Sequence, residues 1–201
     1  MIAVAWTAGL LLMTTPGSPP EAEGSQAVAT RMLADFVDDR ADPGWYVVND
    51  NVMGGRSEGG FSIEQGELHF AGRTNTEGGG FSSIRTEFVQ LDLSQYAGIR
   101  LRVRGDGRRY TWRLTTTARW RGSEVGYWAD FETSEGAWIT VDIPFSRFIP
   151  RYRGTRLDGP ELDPANITGM GLMIYDKLDG PFELHLASVE AFAAQASSAL
   201  D

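Results

Sequence analysis

This chain of 201 residues contains no cysteine. That excludes disulfides, thiolate metal sites, a catalytic thiol and a lipid-modified cysteine. Only two histidines are present, His69 and His185, so a histidine-rich metal site is not expected. Each alternates with apolar neighbours (Leu68 and Phe70, Leu184 and Leu186), which predicts an outward position on a sheet with no catalytic companion nearby in sequence. Lysine is nearly absent: Lys177 is the single lysine among 18 basic residues, against 27 acidic ones. The resulting net charge of −9 argues against wholesale nucleic-acid binding. There is no His-Glu-x-x-His and no P-loop, so no familiar set of catalytic roles is assigned.

Long apolar runs are also missing. The run from Ile2 to Met13 is too short to span a bilayer but suits a signal-peptide core, and Ala27-Val28-Ala29 offers a small-residue cleavage site. No lysine or arginine precedes Arg31, so the basic start of a signal peptide is lacking. The expectation is export to a bacterial periplasm if this leader is a signal peptide, and a cytoplasmic location otherwise. No transmembrane span is expected in the mature domain. We divide the chain into a leader and linker (1–30), one domain (31–193) and a flexible tail (194–201).

What is abundant is glycine, at 24 residues, and aromatics, at 11%. Many turns with many large flat side chains fit an antiparallel β fold. Strand-like alternation recurs at roughly 8–12-residue spacing, and no long helical period is visible. The pattern predicts an all-β, two-sheet jelly-roll sandwich behind a disordered or signal-like leader. Met32 to Phe36 reads as a first strand, and Glu67 to Ala71 pairs with Gly60 to Glu64 across Gln65-Gly66. Three further hairpins are expected: Ile99–Val103 with Tyr110–Leu114, Tyr127–Thr133 with Trp138–Ile143, and Ile167–Tyr175 with Pro181–Val189. The segment Pro144 to Pro164 reads as the longest irregular stretch, either a functional loop or an aromatic plug at one end of the sandwich.

Three constellations stand out. The first hairpin would gather Arg100, Arg102, Arg104, Arg109 and Arg113 on one sheet face, beside Trp128, Asp130 and Glu132 of the next strand. Such a face suits a sugar, a carboxylate or an acidic partner; it equally suits a cross-strand salt-bridge lattice on a solvated surface. The second is a pair of glycine loops: Asn49, Asp50, Asn51, Val52, Met53, Gly54, Gly55, Arg56 and Ser57, then Gly79, Gly80, Phe81 and Arg85. Neither loop runs into a helix, so neither is a phosphate cradle. They read as a structural corner, tied through Arg56 or Arg85 to carbonyls or Asp50, with Met53 as a plug for the core. The third is the carboxylate pair Asp130 and Glu132, which shares a strand face but lies among arginines that neutralise it. Asp158, Glu161 and Asp163 supply oxygens without the spacing of a calcium loop. No metal and no cofactor are assigned.

Trp45 followed by Asn49 to Ser57, with Gly79 to Arg85, resembles the signature of the complex I intermediate-associated protein family. Arg104 to Tyr110, Trp138 with Ile143-Pro144-Phe145, and Asp176 to Phe182 are similar to further blocks of that family, in the same order. The resemblance implies a galactose-binding-domain-like jelly roll and a non-catalytic role in assembling or stabilising a protein complex. Protein partners, respiratory-complex subunits among them, follow from it. The alternative is a jelly-roll carbohydrate-binding module, for which Trp128 and Trp120 are the candidate stacking residues. An enzyme remains a third reading only if Asp130 and Glu132 face an uncrowded cleft.

Overall fold

In the computed structural model, residues 30–37 and 43–193 are described. The leader up to residue 29, its small-residue cleavage site and the tail from 194 lie outside them. The described residues form thirteen strands and short 3₁₀ turns. The strands are β1 (Arg31–Asp35), β2 (Trp45–Asn49), β3 (Glu58–Glu64), β4 (Glu67–Thr74), β5 (Ser82–Thr86), β6 (Gly98–Gly105) and β7 (Arg109–Trp120). They continue as β8 (Ser123–Glu132), β9 (Trp138–Pro144), β10 (Ile149–Tyr152), β11 (Thr155–Arg156), β12 (Ile167–Ile174) and β13 (Gly180–Phe192).

Two antiparallel sheets share them. One runs β3-β4-β13-β6-β9, with β1 also paired to β13; the other runs β11-β10-β8-β7-β12-β5-β2. The alternation seen in the sequence supplies the core. Leu68, Phe70, Leu101, Val103, Leu184 and Leu186 of the six-stranded sheet are fully buried against Ile84, Tyr110, Trp112, Leu114, Tyr127 and Leu172 of the seven-stranded sheet. Each such side chain removed from water contributes about 1.5–3 kcal/mol. The expected all-β sandwich is what the chain forms.

The strand pairing differs from expectation. Among the described residues, only β3–β4, β7–β8 and β10–β11 are hydrogen-bonded neighbours in both sequence and space. The β3–β4 hairpin is as expected. The other three expected hairpins are not hairpins: β6, β9 and β13 belong to one sheet, while β7, β8 and β12 belong to the other. Their connections are arches that cross the core. The physical reason is that an arch and a hairpin present the same signal, two alternating runs around a glycine turn.

The arches are stitched together by side chains. Asp106 accepts from the Glu183 amide (2.9 Å) and from the Tyr110 hydroxyl (3.1 Å), and the Thr133 hydroxyl donates to the Arg108 carbonyl at 2.8 Å. The β7–β8 hairpin turns instead through Arg121 (φ 49°) and Gly122 (φ 80°), the two positive-φ positions of a tight turn whose twist matches its strands.

The Pro144–Pro164 segment is more regular than the sequence implied. It forms a 3₁₀ turn at Phe145–Arg147 and then the small hairpin β10–β11. β10 pairs with β8 and extends the seven-stranded sheet. Phe148 is buried and Phe145 packs against the core, while Tyr152 faces outward. Asp158 and Glu161 make no ion pair among the described residues; Asp163 caps the short turn Pro164–Asn166 by accepting from the Ala165 amide at 3.0 Å.

Candidate functional site: an arginine-floored groove on the seven-stranded sheet

The two glycine loops meet at Asp50. Its side chain is buried and accepts four hydrogen bonds: from the Ser57 amide (2.8 Å), the Ser57 hydroxyl (2.6 Å), the Gly80 amide (2.6 Å) and the Phe81 amide (3.3 Å). Burial alone would raise its pKa; the bonds from Ser57, Gly80 and Phe81 reverse the sign and hold it below its ordinary value. Gly55 and Gly79 pass so close to Asp50 that a Cβ on either would lie within 2.5 Å of a carboxylate atom. The tie between the loops is therefore Asp50 itself. Arg56 pairs with Glu77 at the surface (3.4 Å), and Arg85 points away into the sheet's outer face. Asn49 completes the corner, accepting from the Ser82 hydroxyl (2.6 Å) and donating to the Gly59 carbonyl (3.1 Å).

This corner closes one end of a groove of about 430 Å³ on the outer face of the seven-stranded sheet. Met53 lines it. It is 56% exposed and fills no core space, contrary to expectation, because the 3₁₀ turn Asp50–Met53 turns outward. The β10–β11 hairpin, with Arg151, Tyr152, Arg153 and Gly154, forms the opposite wall. Between the walls stand three aromatic rings. Tyr175 meets Trp128 edge to face (6.0 Å) and Phe81 likewise (6.3 Å); Arg151 lies over Trp128 (5.3 Å), and Lys177 sits 3.5 Å above the Tyr175 ring.

The expected arginine face is divided between the two sheets. Arg100, Arg102 and Arg104 lie on the outside of the six-stranded sheet, because β6 pairs with β9 and β13 rather than with β7. There they are matched locally. Arg100 grips Asp142 with two bonds of 2.6 and 2.7 Å, Arg102 donates to Thr140 (3.3 Å), and Arg104 lies 3.7 Å from Glu67 and over the Trp138 ring. Arg109, Arg113, Trp128, Asp130 and Glu132 do share one face, on β7 and β8, in the pairs Arg109↔Glu132, Thr111↔Asp130 and Arg113↔Trp128. Of these, Arg113 and Trp128 line the groove; Asp130 accepts from the Thr111 hydroxyl at 2.6 Å, outside it.

Arg85, Glu124, Arg151, Arg153 and Tyr175 are among the groove residues absent from the sequence-level face. A signal for them was present: Gly126, Gly169 and Gly171 interrupt strands β8 and β12, and glycine inside a strand marks a place where something approaches closely.

The histidines also find companions that the sequence separated widely. His69 and His185 are directly opposite on β4 and β13 and stack with centroids 4.5 Å apart. Both Nε2 atoms lie near Glu183 Oε1 (3.0 and 3.1 Å), and His185 Nδ1 lies 3.1 Å from Glu67. The ligand atoms of His69, Glu183 and His185 fall within 4.8 Å of one another, on the outer face of the sheet as expected but clustered, which the sequence alone did not show. No helix among the described residues is long and apolar enough to cross a membrane.

The backbone has known counterparts. A family 11 carbohydrate-binding module from Clostridium thermocellum, solved with a mixed-linked tetrasaccharide, superposes with a TM-score of 0.61 at 18% identity, covering 84% of this chain and 98% of that module. A family 30 carbohydrate-binding module superposes at 0.52 with 14% identity, covering 86% and 92%. At these identities the likeness establishes the fold. Sequence likeness runs elsewhere. An uncharacterized protein of Schizosaccharomyces pombe is 32% identical over 167 residues, 72% of this chain and 75% of that protein. The mitochondrial complex I intermediate-associated protein 30 of Mus musculus is 32% identical over 108 residues, 52% of this chain, which spans only 33% of the mouse protein. Residues 34–186 match the family described as complex I intermediate-associated protein 30, and the chain belongs to that family.

Proposed function

We propose that this chain is a non-catalytic binding module that assists the assembly or stability of a protein complex, and that it does so by docking a segment of a partner protein in the groove of the seven-stranded sheet. The observation that carries this reading is the groove's charge. Arg85, Arg113, Arg151 and Arg153 line it against one carboxylate, Glu124, in a chain whose net charge is −9. A basic cleft in an acidic protein steers and orients an acidic segment. The aromatic rings beside it are the kind of anchor on which protein interfaces concentrate their energy. Family membership supplies the direction: the mouse relative bears the name of complex I, so respiratory-complex subunits are the first partners to seek.

The non-catalytic part rests on the distribution of acids and bases. Among the described residues, Glu124 is the single carboxylate lining the groove, and Asp130 accepts from the Thr111 hydroxyl. Among the described residues no two carboxylates line this groove, so the paired-carboxylate arrangement of hydrolytic chemistry is not seen there.

The test is capture from the native cell. The protein, tagged at its C-terminus, is crosslinked gently and compared with Trp128→Ala and with Arg102→Glu. Recovery of respiratory-complex subunits or assembly factors with wild type and Arg102→Glu, but not with Trp128→Ala, is the expected result. Equal recovery with all three would move the interface off this groove.

A carbohydrate ligand is the second reading. The edge-to-face pair of Trp128 and Tyr175 favours it, since half-buried rings lining a groove are platforms for sugar faces. Saccharide-dependent change in tryptophan fluorescence, lost in Trp128→Ala, would favour it; a neutral-glycan panel with no response would remove it.

A further inference from the structure

Arg113 stands in the middle of the groove floor, on the central strand β7. On one side it is opposite Gly171 of β12, and on the other opposite Trp128 of β8. Gly171 is also opposite Arg85 of β5. Arg85, Gly171 and Arg113 therefore form one row across the sheet, two guanidinium side chains with a bare backbone position between them. The bare position is required. A Cβ on Gly171 would sit 2.9 Å from Arg113 Cγ and 2.7 Å from the Ile84 carbonyl oxygen. A Cβ on Gly126 would come within 3.3 Å of Arg113 Nη2. The glycines cut a trough in which the arginine lies down.

Lying there, Arg113 is only 7% exposed, and its Nε has no hydrogen-bond partner. Among the described residues it makes no ion pair. Arg85 beside it is half-buried, with one bond from its Nε to the Ser83 hydroxyl (3.3 Å) and, among the described residues, no carboxylate in salt-bridge reach. Glu124 contributes a favourable field from beyond ion-pair distance. Burial, and then the like charge of Arg85, push the Arg113 pKa down to about 10, which still leaves it charged at neutral pH. A buried charge with no counter-charge is costly, and folded proteins seldom keep one without a use. Two other arginines show the contrast: Arg100 has Asp142 and Arg108 has Asp176, each gripped by two bonds.

We propose that Arg85 and Arg113 form a receptor for one carboxylate of the docked ligand, held between the two guanidinium groups while the neighbouring part of the ligand lies against Trp128 and Tyr175. This rests on the groove being the docking surface and names the chemistry it selects. A carboxylate offers two oxygens to planar forks, the arrangement in which arginine binds most selectively. The source we commit to is an acidic side chain or C-terminus of a partner protein.

The test uses the full chain and simple anions. Acetate and sulfate are titrated at constant ionic strength against chloride while the melting temperature is followed. Wild type is expected to gain about 2–4 °C, saturably, and Arg113→Met to gain nothing beyond chloride. Without added anion, Arg113→Met is expected to melt at or above the wild-type temperature, because methionine fills the trough without an unpaired charge.

No anion-specific shift in wild type, or the same shift in Arg113→Met, overturns the proposal. If Arg113→Met does not fold, Arg85→Met is read the same way. Partner capture that depends on Trp128 while acetate and sulfate do nothing would sink the carboxylate receptor and leave the docking groove standing. A capped diglutamate peptide competing for acetate at lower concentration than glucuronate supports a protein source; the reverse order overturns that source in favour of an acidic sugar.

Discussion

Arg108 and Asp176 form a two-bonded ion pair, with Nε to Oδ2 at 2.9 Å and Nη2 to Oδ1 at 2.7 Å, between the β6–β7 arch and the β12–β13 arch. The side chains are 13% and 4% exposed, and Arg108 also donates to the carbonyls of Leu178 (2.9 Å) and Pro181 (2.7 Å) and to the Thr74 hydroxyl (3.0 Å). One arginine thus fastens two cross-core connections and the end of β4. Replacing Asp176 by alanine leaves this guanidinium buried and unpaired, and about 3–5 kcal/mol of stability is expected to go with it. Urea unfolding of Asp176→Ala measures this. A loss below about 1 kcal/mol would show that the pair behaves as an exposed one.

Asp50 and Asp176 set an acid limit on the fold. Burial opposes the charge on each, but the Ser57, Gly80 and Phe81 donors on Asp50, and Arg108 on Asp176, leave both below the ordinary value of 3.8. A carboxylate whose folded pKa is depressed contributes stability that is fully present above 3.8 and is lost as pH falls through the folded value. Urea midpoints measured from pH 7 downward should therefore hold nearly level to about pH 5 and then drop steeply. In Asp50→Asn the drop should be shallower and the neutral-pH midpoint lower. A wild-type midpoint that does not change between pH 5 and pH 3 would contradict the assignment.

The contact of Gly79 with Asp50 calls for glycine on steric grounds alone. A Cβ at Gly79 would lie 2.5 Å from Oδ2 and 2.6 Å from Cβ of Asp50, a side chain fixed by four hydrogen bonds and unable to retreat. Gly79→Ala is expected to cost about 1–3 kcal/mol. Gly60→Ala is the control, since nothing lies within 4 Å of a Cβ there and its effect should stay within about 0.5 kcal/mol. Thermal melts of the two variants decide it.

Gly126 separates groove from fold. A side chain there would meet the ends of Trp128 (2.9 Å) and Arg113 (3.3 Å), which can swing aside, rather than backbone. Gly126→Val should fold, shift tryptophan emission and weaken whatever the groove binds. A folded Gly126→Val with unchanged partner capture would place the interface elsewhere.

Arg100 supplies the contrasting case on the opposite sheet. Its bond to Asp142 is geometrically strong, but both side chains are more than a third exposed, at 34% and 43%. Solvent screening limits such pairs to about 1 kcal/mol or less, so Arg100→Ala should barely move the urea midpoint.

Much of this was legible in residue order. The turn chemistry of Gln65-Gly66, the alternation of Leu68 and Phe70 with His69, and the run of Tyr110, Trp112 and Leu114 fix which side chains face inward. The glycine loops announced a tight corner, though not that Asp50 holds it. Arg113 and Trp128 were marked as neighbours, and they are. The mistaken grouping of Arg100, Arg102 and Arg104 with them has one cause. Gly105-Asp106-Gly107 turns the chain sharply, and a sharp turn between alternating strands looks the same whether the second strand stays beside the first or crosses to the other sheet.

By itself the sequence determined the class of fold, the inward and outward faces of most strands, and the family. These follow from short-range rules: a period of two, turn residues, and motif blocks in order. Only the tertiary structure decided which strands share a sheet. That choice depends on contacts between residues far apart in the chain, such as Arg113 beside Gly171, His69 on His185 and Arg108 on Asp176. The groove exists because β5, β12, β7 and β8 lie side by side, an order that local alternation does not encode.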